Sequence, residues 1–352
     1  MDVLFLHPSD SGRSGNDVLK PQFADVLTKA GLNSRTSPLW PDAFYRAIMA
    51  DPFPKKISRF DVFVGIPFTI IRIPTVLQFK VISFNGFGIS RDKWAISEHC
   101  VKLLGRKYVY HYQDNHLEAP FLREGALRRI RLADALIVPT EPLRQSILEV
   151  SPKKIVYVLE EGIDVDRFHV TPSHNLADAL PTVVWCGNPR NLKEVPFLFD
   201  ILRRLQGKQA FRFRVIAGTH RPDLKLDFEW FPYSPQTEPA LLAGACAGLA
   251  PLGDSLYARG KGGYKVKTYL AAGVPPVASP ISHHVNMVRE GVNGFLPKTE
   301  EEWETALTSL ILNQNLAARM GKQARADAVA KYSYSAVGPA WVNAFKEILE
   351  RK

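Results

Sequence analysis

The sequence has 352 residues, of which 46% are hydrophobic and 23% are charged. This balance excludes a disordered chain and fits two globular domains. The formal net charge of +10 indicates an anionic partner, and net charge alone does not distinguish a nucleotide, a pyrophosphate, a lipid surface and a nucleic acid. No stretch approaches the ~20 apolar residues that span a bilayer. The three cysteines lie far apart without metal-ligand spacing, which favours a reduced, cytoplasmic protein.

Short apolar runs alternate with helical patterns in the first half of the chain, which predicts a parallel sheet covered by helices. The predicted strands are 3–7, 61–66, 81–84, 108–112, 135–139 and 155–159, and the predicted helices are 18–30, 93–104, 120–132 and 141–150. A segment rich in proline and polar residues follows at 171–181 and is typical of a linker.

The same alternation restarts after this linker. The second set of predicted strands is 182–186, 213–217, 227–231, 248–251 and 276–278, and the helices are 196–205, 264–272, 300–312, 315–332 and 336–349. The pattern predicts an α/β protein with two doubly wound, Rossmann-like domains. We assign the first domain to 1–170, the linker to 171–181, the second domain to 182–335, and a C-terminal helix that crosses back to the first domain to 336–352. Such sheets bind ligands beyond the carboxyl ends of their strands, so we expect the site in the cleft between the domains.

The most informative segment is the glycine-rich, basic stretch at 260–263, which leads directly into the predicted helix from Tyr264. Backbone N–H groups and the helix dipole attract anions at such a junction. Gly262 and Gly263 would let a phosphate approach the backbone closely, and Lys265 would add a full charge. The spacing is neither a Walker loop nor the Rossmann fingerprint. Taken alone, this run fits an ordinary loop before a helix equally well.

Longer sequence patterns resemble glycosyltransferase family 4 and its GT-B relatives. The segment 260–280, GKGGYKVKTYLAAGVPPVASP, is similar to that family's nucleotide-sugar segment, and VREGVNGFL at 288–296 is similar to a second family motif. Three shorter pieces agree in order, namely ADALIVPTE at 133–141, EGIDVDRF at 161–168, and Gly187 with Lys193. The resemblance covers most of 108–349 and almost none of 10–107. It implies the GT-B fold, in which two Rossmann-like domains face each other. It also implies a glycosyltransferase whose substrate is a nucleotide diphosphate sugar, with UDP favoured over GDP, and which needs no cofactor.

The resemblance also implies roles for residues of the donor site. Lys265 and Lys193 would contact the diphosphate, with Arg190 nearby, and the backbone of Gly263 and Tyr264 would bind the distal phosphate. No acidic pair stands in a suitable loop, so we expect no metal. These lysines and the helix terminus would stabilise the leaving diphosphate instead.

Three positions depart from the family pattern, and one of them is Asn188, which stands in place of the arginine that follows the glycine in the family. Thr268 stands where the family has a glutamate that binds the ribose, and a neutral, shorter side chain predicts a weaker contact. The acidic residue that is usual eight positions earlier is replaced by Gly260. Arg259 and Lys261 could bind the sugar instead, and two cations would suit an anionic sugar such as a uronate.

The catalytic base is predicted at the end of strand 108–112. Asp114 follows this strand, and a carboxylate at the carboxyl end of a parallel strand can accept a proton from an acceptor hydroxyl. The layout is similar to the xanthan glucuronosyltransferase, an inverting GT-B enzyme, which implies that Asp114 is the base. His111 and His116 are alternatives, because imidazole titrates near neutral pH. The competing interpretation is that Asp114 and Asn115 form a turn and that His111 is a core residue.

The loop that follows the first strand offers further candidates. Asp10, Gly12 and Arg13 lie in a small-residue segment that resembles the GT-B loop placed against the donor phosphates and the acceptor. Arg13 could bind an anionic group there, and Asp10 could be a second base. A solvent-exposed turn explains the same residues as well.

A lipid-linked acceptor and contact with an anionic membrane are suggested by two segments. The predicted helix 120–132 carries Arg123, Arg128, Arg129 and Arg131 beside apolar residues, as membrane-surface helices do, although a solvated helix face looks the same. The segment 66–87 is apolar and aromatic, which fits either a lipid-facing surface or core. We therefore expect a glycan or lipid-linked acceptor and a cytoplasmic protein, peripheral on the inner face of the membrane.

Two other classes of function share some of these features. A sugar-nucleotide epimerase has the same fold and donor site, but it needs further acid and base groups that the sequence does not reveal. A non-catalytic protein that binds anionic surfaces would use the same net charge. Nucleic acid is not an expected partner, because the basic residues are scattered and are not interleaved with aromatic residues.

Overall fold

The computed structural model describes residues 2–7, 21–38, 70–85, 95–168, 180–188, 191, 195–218 and 223–351. Contacts between Cα atoms divide the chain into two compact units. The first unit comprises Met1–Gly162, Gly260–Gly262 and Val337–Lys352, and the second comprises Ile163–Arg259 and Gly263–Ala336. The tripeptide Gly260–Gly262 is therefore grouped with the first unit, although it is flanked in sequence by residues of the second.

The first unit contains a parallel sheet whose six strands, within the described ranges, are ordered β2-β1-β3-β4-β5-β6. Its strands are β1 Val3–His7, β2 Ser34–Pro38, β3 Val81–Asn85, β4 Lys107–His111, β5 Ala135–Val138 and β6 Val156–Val158. Its helices are α1 Pro21–Lys29, α2 Ile73–Val76, α3 Ile96–Leu103, α4 Pro120–Leu132 and α5 Glu141–Val150, with a 3₁₀ turn at His116–Glu118.

Both faces of the sheet are buried at its inner strands β1, β3, β4 and β5, as is usual for parallel sheets. Phe84, Tyr108 and Tyr110 lie on one face and pack against the helices α4 and α5. On the opposite face, Phe5 contacts Trp341, whose ring also packs edge-on against Phe23. Burial on both faces explains why these strands are continuous apolar runs in the sequence.

The second unit contains a parallel sheet with strand order β11-β10-β7-β8-β9, in five strands of the described residues. The strands are β7 Thr182–Gly187, β8 Arg212–Ala217, β9 Glu229–Pro232, β10 Ala247–Ala250 and β11 Pro276–Ala278. The helices are α6 Pro196–Lys208, α7 Glu238–Leu242, α8 Leu256–Arg259, α9 Tyr264–Ala271, α10 His284–Met287, α11 Glu300–Leu312 and α12 Gln314–Tyr332, with a 3₁₀ turn at Asp166–Phe168. The neighbours β7 and β10 are not consecutive in the chain, and this reversal of strand order is where doubly wound sheets bind ligands.

The last helix, α13 Tyr334–Glu350, contributes most of its length to the first unit. Trp341 donates a hydrogen bond from Nε1 to the Glu160 carbonyl at 2.8 Å, and Lys107 Nζ donates to the Ile348 carbonyl at 2.7 Å. The prediction that the C-terminal helix returns to the N-terminal domain is confirmed.

Every strand predicted within the described ranges is present, with ends that differ by one or two residues. One described strand was missed. The strand β2 reads Ser-Arg-Thr-Ser-Pro and lies at the edge of the sheet, where a polar strand needs only one neighbour, β1. The predicted strand 61–66 and most of the predicted linker lie outside the described residues. None of the helices in the described ranges is both long and apolar enough to cross a bilayer.

Candidate functional site

The helix α9 begins at a glycine that the backbone requires. Gly263 has φ of 67°, in the left-handed region that favours glycine. A β-carbon at this position would also lie 2.9 Å from Met287 Cε. Gly263 makes no side-chain cap hydrogen bond, and the first N–H groups of a helix point out of its N-terminus, where anions are favoured. The structure thus forms the helix start that the sequence predicted.

Lys265 lies in the first turn of α9 and reaches the carboxyl end of β7. Its Nζ atom is 4.4 Å from the centre of the buried Trp185 ring. A β-carbon at Gly187, the last residue of β7, would lie 3.4 Å from the same ammonium. The ammonium of Lys265 therefore lies over an indole face at the end of a central strand.

Thr268 is buried one turn further along α9. Its Oγ1 donates to the Tyr264 carbonyl at 3.1 Å. A ribose hydroxyl could therefore use only the acceptor capacity of this side chain. The neighbouring Tyr269 has a structural role, because its hydroxyl donates to the Leu249 carbonyl and accepts from the Cys186 amide, each at 3.0 Å.

His284 is a residue of this region that sequence reasoning missed. It is almost fully buried, and its Nδ1 lies 3.0 Å from the Ser279 carbonyl oxygen. A β-carbon at Gly263 would lie 3.4 Å from its Cδ2. Burial lowers the pKa of His284 to about 4, and Lys265 acts in the same direction, while the Ser279 carbonyl opposes it. The ring is therefore neutral at pH 7. The adjacent histidines at 283 and 284 were the only sequence signal.

Arg259 precedes the glycine-rich tripeptide and forms a two-point contact with Asp254. Its Nε and Nη2 atoms lie 2.7 and 2.8 Å from the two carboxylate oxygens. This hydrogen bonding lowers the pKa of Asp254, although both side chains are exposed. Binding of a sugar carboxylate by Arg259 would require this partner to be exchanged.

In the first unit, Asp114 lies beside Lys261 of the glycine-rich tripeptide. Lys261 Nζ is 3.3 Å from Asp114 Oδ1, and about a third of each side chain is exposed, 29% and 39% respectively. Thr140 holds the same tripeptide by donating its hydroxyl to the Gly260 carbonyl at 3.1 Å. The structure thus brings two predicted site residues together, one from the end of β4 and one from 260–262.

The two histidines near Asp114 are buried. His111 is fully inaccessible and packs edge-on against Trp341, with 5.3 Å between the ring centres. His116 is nearly inaccessible and packs against Tyr112 at 5.6 Å. Because a general base must reach the acceptor hydroxyl, the partly exposed Asp114 is better placed than either ring.

Sequence reasoning did not select Glu161 or Gln113. Glu161 Oε1 accepts a hydrogen bond from Gln113 Nε2 at 2.9 Å and lies 3.1 Å from His111 Nε2. The second contact does not have hydrogen-bond geometry, so it is a close polar contact. Glu161 belongs to the EGID motif, and this was the only signal in the sequence.

Five predicted site residues lie outside the described residues. They are Asp10, Gly12, Arg13, Arg190 and Lys193. Their roles remain predictions.

The helix α4 differs from the predicted membrane-surface helix at Arg129, one of its four arginines. Arg129 is fully buried, and its Nε donates to Glu98 Oε1 at 2.6 Å. Arg131 is exposed, whereas Ile130 is buried in the core. The arginine run is therefore divided between an internal ion pair and the outer surface, so Arg129 cannot belong to a membrane-facing cluster.

Comparison with known proteins gives a family match for the second unit and structural matches for the whole chain. The family model described as Glycosyl transferases group 1 matches residues 180–313. No curated protein matches the chain by sequence. HepE of Anabaena, solved with UDP and glucose, is 16% identical with a TM-score of 0.72, over 99% of this chain and 100% of HepE.

Two further solved structures have the same fold. Sucrose-phosphate synthase of Thermosynechococcus elongatus is 15% identical with a TM-score of 0.71, over 99% of each chain. A glycosyltransferase of Rickettsia africae is 13% identical with a TM-score of 0.66, over 100% of this chain and 99% of the other.

The fold and the family match together define the class. The chain has the GT-B fold, with two Rossmann-like domains, and it is a glycosyltransferase. The predicted class is confirmed. The details that were taken from family 4, and the assignment of Asp114 as a base of the xanthan type, stay predictions.

Proposed function

We propose that this enzyme transfers a sugar from a nucleotide diphosphate sugar, preferably a UDP-sugar, to a hydroxyl group of a glycan or a lipid-linked acceptor. The observation that carries the proposal is the Lys265 ammonium at the carboxyl end of β7, beside the glycine-capped start of α9. These groups supply a positive charge and main-chain donors, which a diphosphate leaving group requires. HepE, which has the same fold, has been solved with UDP-glucose.

On the donor side, the second unit would bind the diphosphate and stabilise it as it leaves. Negative charge develops on the distal phosphate as the bond between the anomeric carbon and the phosphate oxygen breaks. Lys265 and the N–H groups of α9 are held in place before the reaction, which makes such stabilisation effective. This arrangement supports transfer without a metal ion. Activity that survives a chelator and needs no added divalent cation is the expected result.

On the acceptor side, Asp114 would accept the proton of the attacking hydroxyl. Its carboxylate is partly exposed and is held by Lys261. A new bond forms between the acceptor oxygen and the anomeric carbon, while the nucleoside diphosphate leaves with the electron pair of the broken bond. The proton ends on Asp114 and passes to solvent.

The ion pairs of Arg259 and Lys261 bear on which donor sugar the enzyme uses. Arg259 is paired with Asp254, and Lys261 is paired with Asp114. A uronate could bind either cation only in exchange for its present partner, whereas a neutral hexose requires no exchange. Comparing UDP-glucose with UDP-glucuronate as donors tests the uronate hypothesis directly.

One screen tests the proposed function. The protein would be incubated with a panel of UDP- and GDP-sugars, with and without glycan and lipid acceptors, and products would be identified by mass spectrometry. Transfer or slow hydrolysis of a UDP-sugar supports the proposal. Conversion of the donor sugar without an acceptor would indicate an epimerase. Absence of a thermal shift with UDP and with GDP would indicate a non-catalytic binding protein.

A lipid-linked acceptor would require contact with a membrane surface. Ile70 and Ile71 are exposed, with 57% and 71% of their surface accessible, and the chain carries a net charge of +10. We propose that these residues contact an anionic bilayer while the enzyme works. Sedimentation with phosphatidylglycerol vesicles, but not with phosphatidylcholine vesicles, is expected. The double variant I70S/I71S should sediment less, and equal binding to both lipids would exclude this role.

A further inference from the structure

A group of side chains surrounds the residue predicted to be the base, and its centre is Glu161. This carboxylate is buried, and its Oε1 meets both Gln113 Nε2 at 2.9 Å and His111 Nε2 at 3.1 Å. His111 and Gln113 are two residues apart, which places them on the same side of an extended chain. Tyr112 lies between them and points into the opposite core. Glu161 therefore holds one side of the chain as it leaves β4.

The residue after Asp114 is also held. Tyr112 donates its hydroxyl to Asn115 Oδ1, and Asn115 Nδ2 donates to Ser146 Oγ, each at 3.3 Å. The Tyr112 hydroxyl also accepts a hydrogen bond from the Leu117 amide at 3.0 Å. Asp114 thus stands between two neighbours whose side chains are anchored, while its own side chain remains partly exposed.

Glu161 is itself fixed from two directions. Trp341 packs against the His111 ring and donates a hydrogen bond to the carbonyl of Glu160, the residue before Glu161. On the other side, a β-carbon at Gly262 would lie 3.3 Å from Glu161 Oε2, closer than most such contacts allow. The carboxylate is therefore packed against the same tripeptide whose Lys261 contacts Asp114.

We propose that Glu161 is a positioning residue for glycosyl transfer, which acts by fixing Gln113 and thereby the direction in which Asp114 presents its carboxylate. This inference rests on the proposed function, with Asp114 as the base. Glu161 does not exchange a proton with the substrate. Its contribution is geometric, since displacement of a catalytic group by about 1 Å can lower the rate about 100-fold.

The test is a double-mutant cycle on Glu161 and Gln113. E161A and Q113A should each lower kcat about 10- to 100-fold, with little change in the KM for the donor and in UDP binding. The double variant should be no slower than the slower single variant, because both act through one contact. E161Q, which keeps an oxygen that can accept from Gln113, should retain most of the activity. Q206A removes a glutamine side-chain hydrogen bond to the Asp227 carbonyl elsewhere and should leave kcat unchanged.

A second measurement needs no turnover and separates this proposal from the proposed function. In a crystal structure of E161A, the Gln113 side chain should turn away and the contact between Asp114 and Lys261, 3.3 Å in the wild-type chain, should lengthen. A wild-type protein that turns over no nucleotide sugar would refute the proposed function and leave this measurement valid. Additive losses in the cycle, E161Q as slow as E161A, or an unmoved Asp114 in E161A would overturn the role of Glu161.

Discussion

The start of α9 and the end of β4 both present polar groups, but they are built in different ways. At α9 the groups are main-chain amides and a lysine that follow one another in the chain, from Gly263 to Lys265. At the end of β4, Asp114 contacts Lys261, and the preceding residue, Gln113, is hydrogen-bonded to Glu161, which is distant in the sequence. A site made of consecutive backbone is visible as a motif. A site made of side chains from separate segments is visible only after folding.

The largest effect is expected where a single side chain performs the chemistry. Asp114→Asn removes the base and keeps the shape, so kcat should fall by about 10²- to 10⁴-fold, while UDP affinity remains close to that of wild type. Steady-state kinetics and a UDP titration measure the two quantities. Unchanged turnover would transfer the role to His111, His116 or Asp10.

The donor side should respond in kcat/KM rather than in kcat alone. Lys265→Met keeps a stem that can pack on Trp185 and removes the charge, so kcat/KM for the donor should fall about 100- to 1000-fold. Lys265→Arg is the matched control, since it retains the charge and should keep part of the activity. Donor kinetics of Lys265→Met that equal those of wild type would exclude Lys265 as the phosphate contact.

A smaller effect is expected on stability at acidic pH. The pKa of His284 is lowered from 6.5 to about 4 in the folded chain, so the unfolded chain binds the proton first as pH falls. Stability from this residue is complete above pH 6.5 and is lost progressively towards pH 4, by about 3 kcal/mol in total.

Urea unfolding at several pH values would measure this loss. His284→Asn keeps an amide that can donate to the Ser279 carbonyl and does not titrate, so its free energy of unfolding should depend less on pH in this window. Identical pH dependence in the two proteins would show that His284 is not buried in its neutral form.

The smallest effect concerns the packing of the glycine-rich tripeptide. A β-carbon at Gly260 would lie 2.8 Å from Leu143 Cδ2, so Gly260→Ala should lower the free energy of unfolding by about 1–3 kcal/mol. Adding Leu143→Val makes room, and the double variant should lose less than the sum of the two single losses. Strictly additive losses in chemical denaturation would show that the two residues do not touch.

Much of the fold could be predicted because the burial of a strand is visible in its own residues, which are apolar. Val81–Asn85 and Thr182–Gly187 are apolar along their length since neighbouring strands and helices cover both faces. The edge strand Ser34–Pro38 has no apolar pattern, because it pairs with one neighbouring strand and is not covered on both faces. Arg129 was misjudged for a related reason. A charged residue on a helix looks solvated until a partner such as Glu98 is found across the core.

The amino-acid sequence by itself determined two doubly wound domains, the glycosyltransferase class and a helix that starts at Tyr264, because these depend on periodicity and on residues that are close in the chain. Tertiary structure alone decided that His284 is neutral and buried beside this helix, that Lys261 faces Asp114, and that Glu161 holds Gln113. Each of these is a contact between residues far apart in sequence. Their distances and burial arise only when the chain has folded.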